Sequence, residues 1–73
     1  MTAAHSALPS KQITYLRSLI DPTITALSCA NVKLRTTDSG SLQGAYNLAP
    51  DDYEQYIANL NAMKLLRILD SLL

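Results

Sequence analysis

His5 is the only histidine of this 73-residue chain and its one conventional general base near neutral pH. It stands beside Ser6 in a run of small and polar residues, Met1 to Pro9, that has neither helical nor strand period and reads as a flexible arm. Catalysis by a base needs fixed geometry, which such an arm does not supply, so His5 is expected to be a solvated terminal residue. Cys29 lies among Ala26, Leu27 and Ala30, with no basic neighbour to lower the thiol pKa, and reads as a buried structural cysteine. A single cysteine excludes an internal disulfide, and with a single histidine it rules out the usual Cys/His zinc sets.

Asp51, Asp52 and Glu54 form the one acidic concentration. They fall in the first turn of a helix, where the backbone dipole favours negative charge, and a hard cation would demand more oxygen ligands than this segment offers. Gly40 and Gly44 do not make a phosphate loop, because neither opens a helix followed by Lys-Ser or Lys-Thr. Asp38-Ser39-Gly40-Ser41 begins like a phosphodegron, but Gln43 stands where its second serine is required, so the segment reads as a turn. No nucleophile, base and orienting group can be named together, so the chain reads as non-enzymatic, without metal, cofactor or small-molecule substrate.

The elements that would position any site follow from periodicity. Ser10 is a reasonable N-cap, and Ile13, Leu16 and Ile20 recur at helical spacing, which predicts a first helix from Lys11 to Ile20. Asp21-Pro22 should break or kink it, with Asp21 capping a restarted helix and Pro22 at its first position. Ile24, Leu27 and Ala30 then share a face and Asn31 closes the turn; the β-branched run Thr23-Ile24-Thr25 leaves a strand open as the alternative. From Val32 the period changes to two. Val32, Leu34 and Thr36 alternate with Lys33, Arg35 and Thr37, and after a loop Leu42, Gly44, Tyr46 and Leu48 alternate with Gln43, Ala45 and Asn47. These runs predict a β-hairpin turning at Gly40, which would supply a positive φ. Pro50 and the acidic residues then open a helix that continues to Leu73.

The expectation is therefore an α+β fold: a small two-layer helix, β-hairpin, helix domain at residues 10–73 behind an arm at residues 1–9, the alternative being a mostly α, three-helix domain. A chain this short buries only about 60 to 65% of the surface its unfolded form exposes, so it needs support from outside its own core. Six basic and six acidic residues cancel, and the basic ones are scattered, which argues against phosphate binding as the main function. No stretch approaches the roughly 18 apolar residues of a membrane span, and no leader pattern stands at the N-terminus, so the chain reads as cytoplasmic.

The last helix carries more apolar surface than one small core can cover. Tyr53, Tyr56, Ile57, Leu60 and Met63 form a core-facing stripe; Leu65, Ile68, Leu69 and Leu72 cluster about a third of a turn away, and Leu66 and Leu73 lie on a further side. Tyr53, Leu65, Leu66, Ile68, Leu69, Leu72 and Leu73 are the candidate protein interface, for a protein partner or a homo-oligomer. A second reading is a small DNA-associated regulator with a helix-turn-helix variant around Asp21-Pro22, drawing on Lys11, Arg17, Lys33 and Arg35.

The order helix, hairpin with a glycine turn and acid-started helix, with Tyr53-Glu54-Gln55-Tyr56-Ile57 behind the second strand, resembles the small head-tail joining proteins of lambda-like phages. The likeness covers Lys11 to about Met63 and implies a non-enzymatic virion part that joins a ring of portal-associated subunits. Pro22, the segment from Thr23 to Ala30 and the apolar C-terminus depart from that pattern.

Overall fold

A computed structural model describes residues 8–73 and shows a helical hairpin. Helix α1 spans Ser10–Arg35, a 3-10 turn occupies Ala45–Asn47, and helix α2 spans Pro50–Leu72. Among the described residues there is no strand, so the α+β expectation fails, and two long helices replace the three-helix alternative. His5 and most of the expected N-terminal arm lie outside the described residues.

The first correction concerns Pro22. Helix α1 passes through it without a break, so neither a helix end at Ile20 nor a helix-turn-helix at Asp21-Pro22 exists. Proline removes the amide that would reach the Ser18 carbonyl one turn back. That carbonyl lies on an exposed stretch, where water can satisfy it. Nearby hydroxyls bond back to other carbonyls, Ser18 Oγ donating to Tyr15 O at 2.6 Å and Thr23 Oγ1 to Leu19 O at 2.6 Å. Continuity prevails because Ile13, Leu16, Ile20, Ile24, Leu27, Asn31 and Leu34 keep one unbroken stripe against α2 on both sides of the proline, and all are buried or half-buried. At the N-terminus, Pro9 takes the cap position and Ser10 is the first helical residue.

The second correction concerns the hairpin. Val32 to Arg35 close α1, with Lys33 and Arg35 in the last turn, where cations suit the helix dipole. The two alternating runs do meet, at one isolated antiparallel bridge between Thr36 and Leu42. Gln43 N donates to Arg35 O at 2.9 Å and Arg35 Nε donates back to Gln43 O at 2.8 Å. This clasp does not extend into strands, because the second run leaves it at once for the 3-10 turn, and a lone two-stranded ribbon has no layer to lie on.

Gly40 turns the loop with φ +88°, as the sequence predicts, while Gly44 sits at φ −67°. An added Cβ would meet nothing within 4 Å at either position. Gly40→Ala is therefore expected to cost about 1 kcal/mol through the left-handed backbone alone. Gly44→Ala should be neutral or gain about 0.5 kcal/mol by restricting the unfolded chain. Urea midpoints of the two variants check the contrast; equal effects would remove the backbone explanation.

Pro50 and the carboxylates open α2 as expected: the proline sits at the helix start, with Asp51 and Asp52 in the first turn. Leu48, just before it, is buried.

A candidate protein-interaction face

Asn31 and Asn59 fix how the helices meet. Asn59 Nδ2 donates to Asn31 Oδ1 at 2.8 Å, Asn31 Nδ2 donates to the Tyr56 carbonyl at 3.3 Å, and Gln55 Nε2 donates to Asn59 Oδ1 at 2.8 Å. Both asparagines are buried, and no buried side-chain polar atom among the described residues lacks a partner. This register sets Leu27 at the level of Met63 in the antiparallel pair.

It also rotates α2 away from the expected stripe. The side facing α1 carries Asn59 and Met63, both buried, with Tyr56, Ala62, Leu66 and Leu73 half-buried. Tyr53 and Leu60, expected in the core, are each 40% exposed. The inward direction is displaced by roughly a quarter turn, because the Asn31 contact draws Asn59 to the seam. Cys29, expected to be buried, is exposed.

The interface residues fall into two groups. Leu65, Ile68, Leu69 and Leu72 form one exposed stripe, at 67%, 51%, 37% and 78% exposure; Leu66 and Leu73 turn toward the seam, and Tyr53 stands apart near the start of α2. Against this, the buried apolar side chains among the described residues are only Ile20, Leu48 and Met63. Along α2 alone the molecule exposes more large apolar side chains than the described residues enclose.

Helix α1 adds residues that sequence reasoning missed. Tyr15, Leu19, Ala26 and Ala30 share one side of α1, but their spacing becomes a stripe only when the helix is continuous through Pro22. A shallow groove lined by Ala30, Lys33 and Leu34 of α1 and by Gln55 and Asn59 of α2 shows which edges of the two helices share a broad side of the hairpin. Advancing 100° per residue from these edges puts Tyr15, Leu19, Ala26 and Ala30 on the same side as Ala58, Ala62, Leu65, Leu69 and Leu72. Arg17, Asp21 and Arg67 fall on the opposite side. Leu60, Lys64, Arg67 and Ile68 line a depression along α2 alone, with Ile68 at the edge it shares with the stripe of Leu65, Leu69 and Leu72.

Among the described residues, no group of three or more His, Cys, Asp or Glu side chains could hold a metal ion, and no helix is long and apolar enough to cross a membrane. No protein-family model matches the chain, and neither curated proteins nor solved structures include a significant match. The β-hairpin on which the resemblance to head-tail joining proteins rested is absent from the described residues. What the geometry defines is a two-helix hairpin with one broad side that is apolar toward the open end and carries Lys33 near the loop.

Proposed function

We propose that the chain is a non-enzymatic assembly subunit that binds protein through the exposed stripe Leu65, Ile68, Leu69 and Leu72 of α2. The observation that carries this reading is the stripe itself: four large aliphatic side chains at i, i+3, i+4 and i+7 over two turns, all exposed, on a helix whose other side already meets α1. Contiguous apolar surface of this kind on a small domain marks an interaction site, and a two-helix hairpin with so thin a core gains stability from whatever covers it. Full burial of one leucine contributes about 1.5–3 kcal/mol, so covering the stripe is comparable in size to the net stability of a small domain.

Replacing Leu69 and Leu72 together with aspartate is expected to abolish assembly while helical circular dichroism is retained. Light scattering of the purified chain with and without the substitutions measures the first, and far-ultraviolet dichroism the second. If helicity and assembly fall in parallel, the stripe belongs to the fold and the reading fails.

A further inference from the structure

We infer that Asp38 is a covalent modification site: with the Ser39 amide it closes a succinimide ring that reopens as isoaspartate, a conversion that needs no enzyme and that the fold directs to this position. In the first step the Ser39 nitrogen attacks Cγ of Asp38 in its carboxylic-acid form. The N–Cγ bond forms, and the amide proton leaves with the carboxyl hydroxyl as water. Water then adds back at one of the two ring carbonyls. Addition at Cγ restores aspartate. Addition at the main-chain carbonyl breaks its bond to nitrogen and leaves the chain running through Cγ, one methylene longer, with a free α-carboxylate.

The chain itself supplies the comparison, because the dipeptide Asp-Ser occurs twice, at Asp38-Ser39 and at Asp70-Ser71. Both pairs have the same small, unbranched follower, so only the backbone distinguishes them. Asp38 and Ser39 are the two central residues of an exposed turn closed by Gly40 N donating to Thr37 O at 2.9 Å. No main-chain carbonyl among the described residues accepts from the Ser39 amide. Rotating the Asp38 Cα–C bond to close the ring disturbs that one turn bond and the contacts of Ser39 Oγ with Thr37 Oγ1 at 3.0 Å and Ser41 Oγ at 3.3 Å, all of them where water can replace them. Asp70 sits in α2, where the Ser71 amide belongs to the helical ladder and ψ is held near the helical value. Its turn is closed by the Leu73 amide on the carbonyls of Leu69 and Asp70 at 3.1 and 3.3 Å, and by Ser71 Oγ on Ile68 O at 2.7 Å.

The remaining candidates are blocked in other ways. The nitrogen after Asp21 belongs to Pro22 and carries no proton to lose. Asp51 and Asp52 lie in the first turn of α2 with larger residues behind them. Asn47, the one asparagine outside the two α-helices, precedes Leu48, whose amide is engaged by Ala45 O at 3.1 Å. The lengthened chain also has room, since a Cβ added at Gly40 meets nothing within 4 Å. The change stays within the loop, because the Asn31–Asn59 contact lies a full turn inside the helices.

The test is prolonged incubation of the full chain at physiological temperature and slightly acidic pH, folded and in concentrated urea. Isoaspartate at each position is then measured by peptide mapping with electron-transfer fragmentation, and in total by methyl transfer from S-adenosylmethionine with an isoaspartyl methyltransferase. In the folded chain isoaspartate is expected to accumulate at position 38 at least roughly fivefold faster than at position 70, which reacts only while its turn is unwound. In urea the two rates should converge, and Asp38→Glu should abolish the signal at position 38 alone while helical circular dichroism is kept. Equal rates at the two positions in the folded chain overturn the inference, since the backbone then does not choose the site. Reaction at both positions in urea but at neither in the folded chain also overturns it, because the turn then protects Asp38. Absence of isoaspartate at position 38 under both conditions overturns the chemistry itself.

Discussion

Pro22→Ala is expected to stabilise the hairpin by about 2 kcal/mol and to raise its unfolding midpoint by roughly 10 °C. Proline inside a helix costs about 3 kcal/mol against alanine, through the lost amide donor and the ring's clash with the preceding turn. About 1 kcal/mol of that is returned because proline also restricts the unfolded chain. The remainder should appear in full, since Pro22 is exposed, its side chain contributes nothing to the seam, and the residues around it already sit in helix. Thermal unfolding of the two proteins at equal concentration measures it. A midpoint that stays put or falls would show that Pro22 contributes to the folded hairpin in a way its exposed ring does not reveal.

Asn59→Ala is expected to cost about 2 kcal/mol, although it removes a polar group from a buried seam. The substitution withdraws the donor to Asn31 Oδ1 and the acceptor for Gln55 Nε2, leaving Asn31 buried with an unpaired oxygen. Replacing Asn31 and Asn59 together with leucine should reverse the loss, because no polar group then remains to be desolvated, and the double variant should be at least as stable as the parent. What it should lose is uniqueness of register, seen as broadened or doubled amide resonances. If the two single substitutions were additive to within a few tenths of a kcal/mol, the asparagines would not act as a pair.

The final helix was legible because its signals agree: Pro50 and the acidic first turn mark its start, and its apolar residues never adopt period two. The surplus apolar surface on that helix was legible for the same reason. The helix expected after Pro22 is present, but its break from the first helix and the strand expected from Val32 are not, because local chemistry and tertiary packing point in different directions there. Pro22, the β-branched Thr23-Ile24-Thr25 and the four-residue alternation from Val32 each argue against helix locally, while the stripe from Ile13 to Leu34 gains a continuous contact with α2 only if all of them are helical. Asn31 was taken for a turn residue by its type. Its partner stands 28 positions away, and no short-range pattern announces such a pair. Missing that pair displaced the face of α2 assigned to the core, and the expected break at Pro22 hid the stripe of Tyr15, Leu19, Ala26 and Ala30 on α1.

The group that fixes the register of this hairpin is built wholly from amides: two asparagines, a glutamine and a main-chain carbonyl. None of these gains or loses a proton across the biological pH range, and none forms an ion pair that salt could screen. The alignment of the two helices is thereby uncoupled from acidity and ionic strength. Any response of this protein to those variables has to arise at its charged edge and ends, while the two helices keep their places.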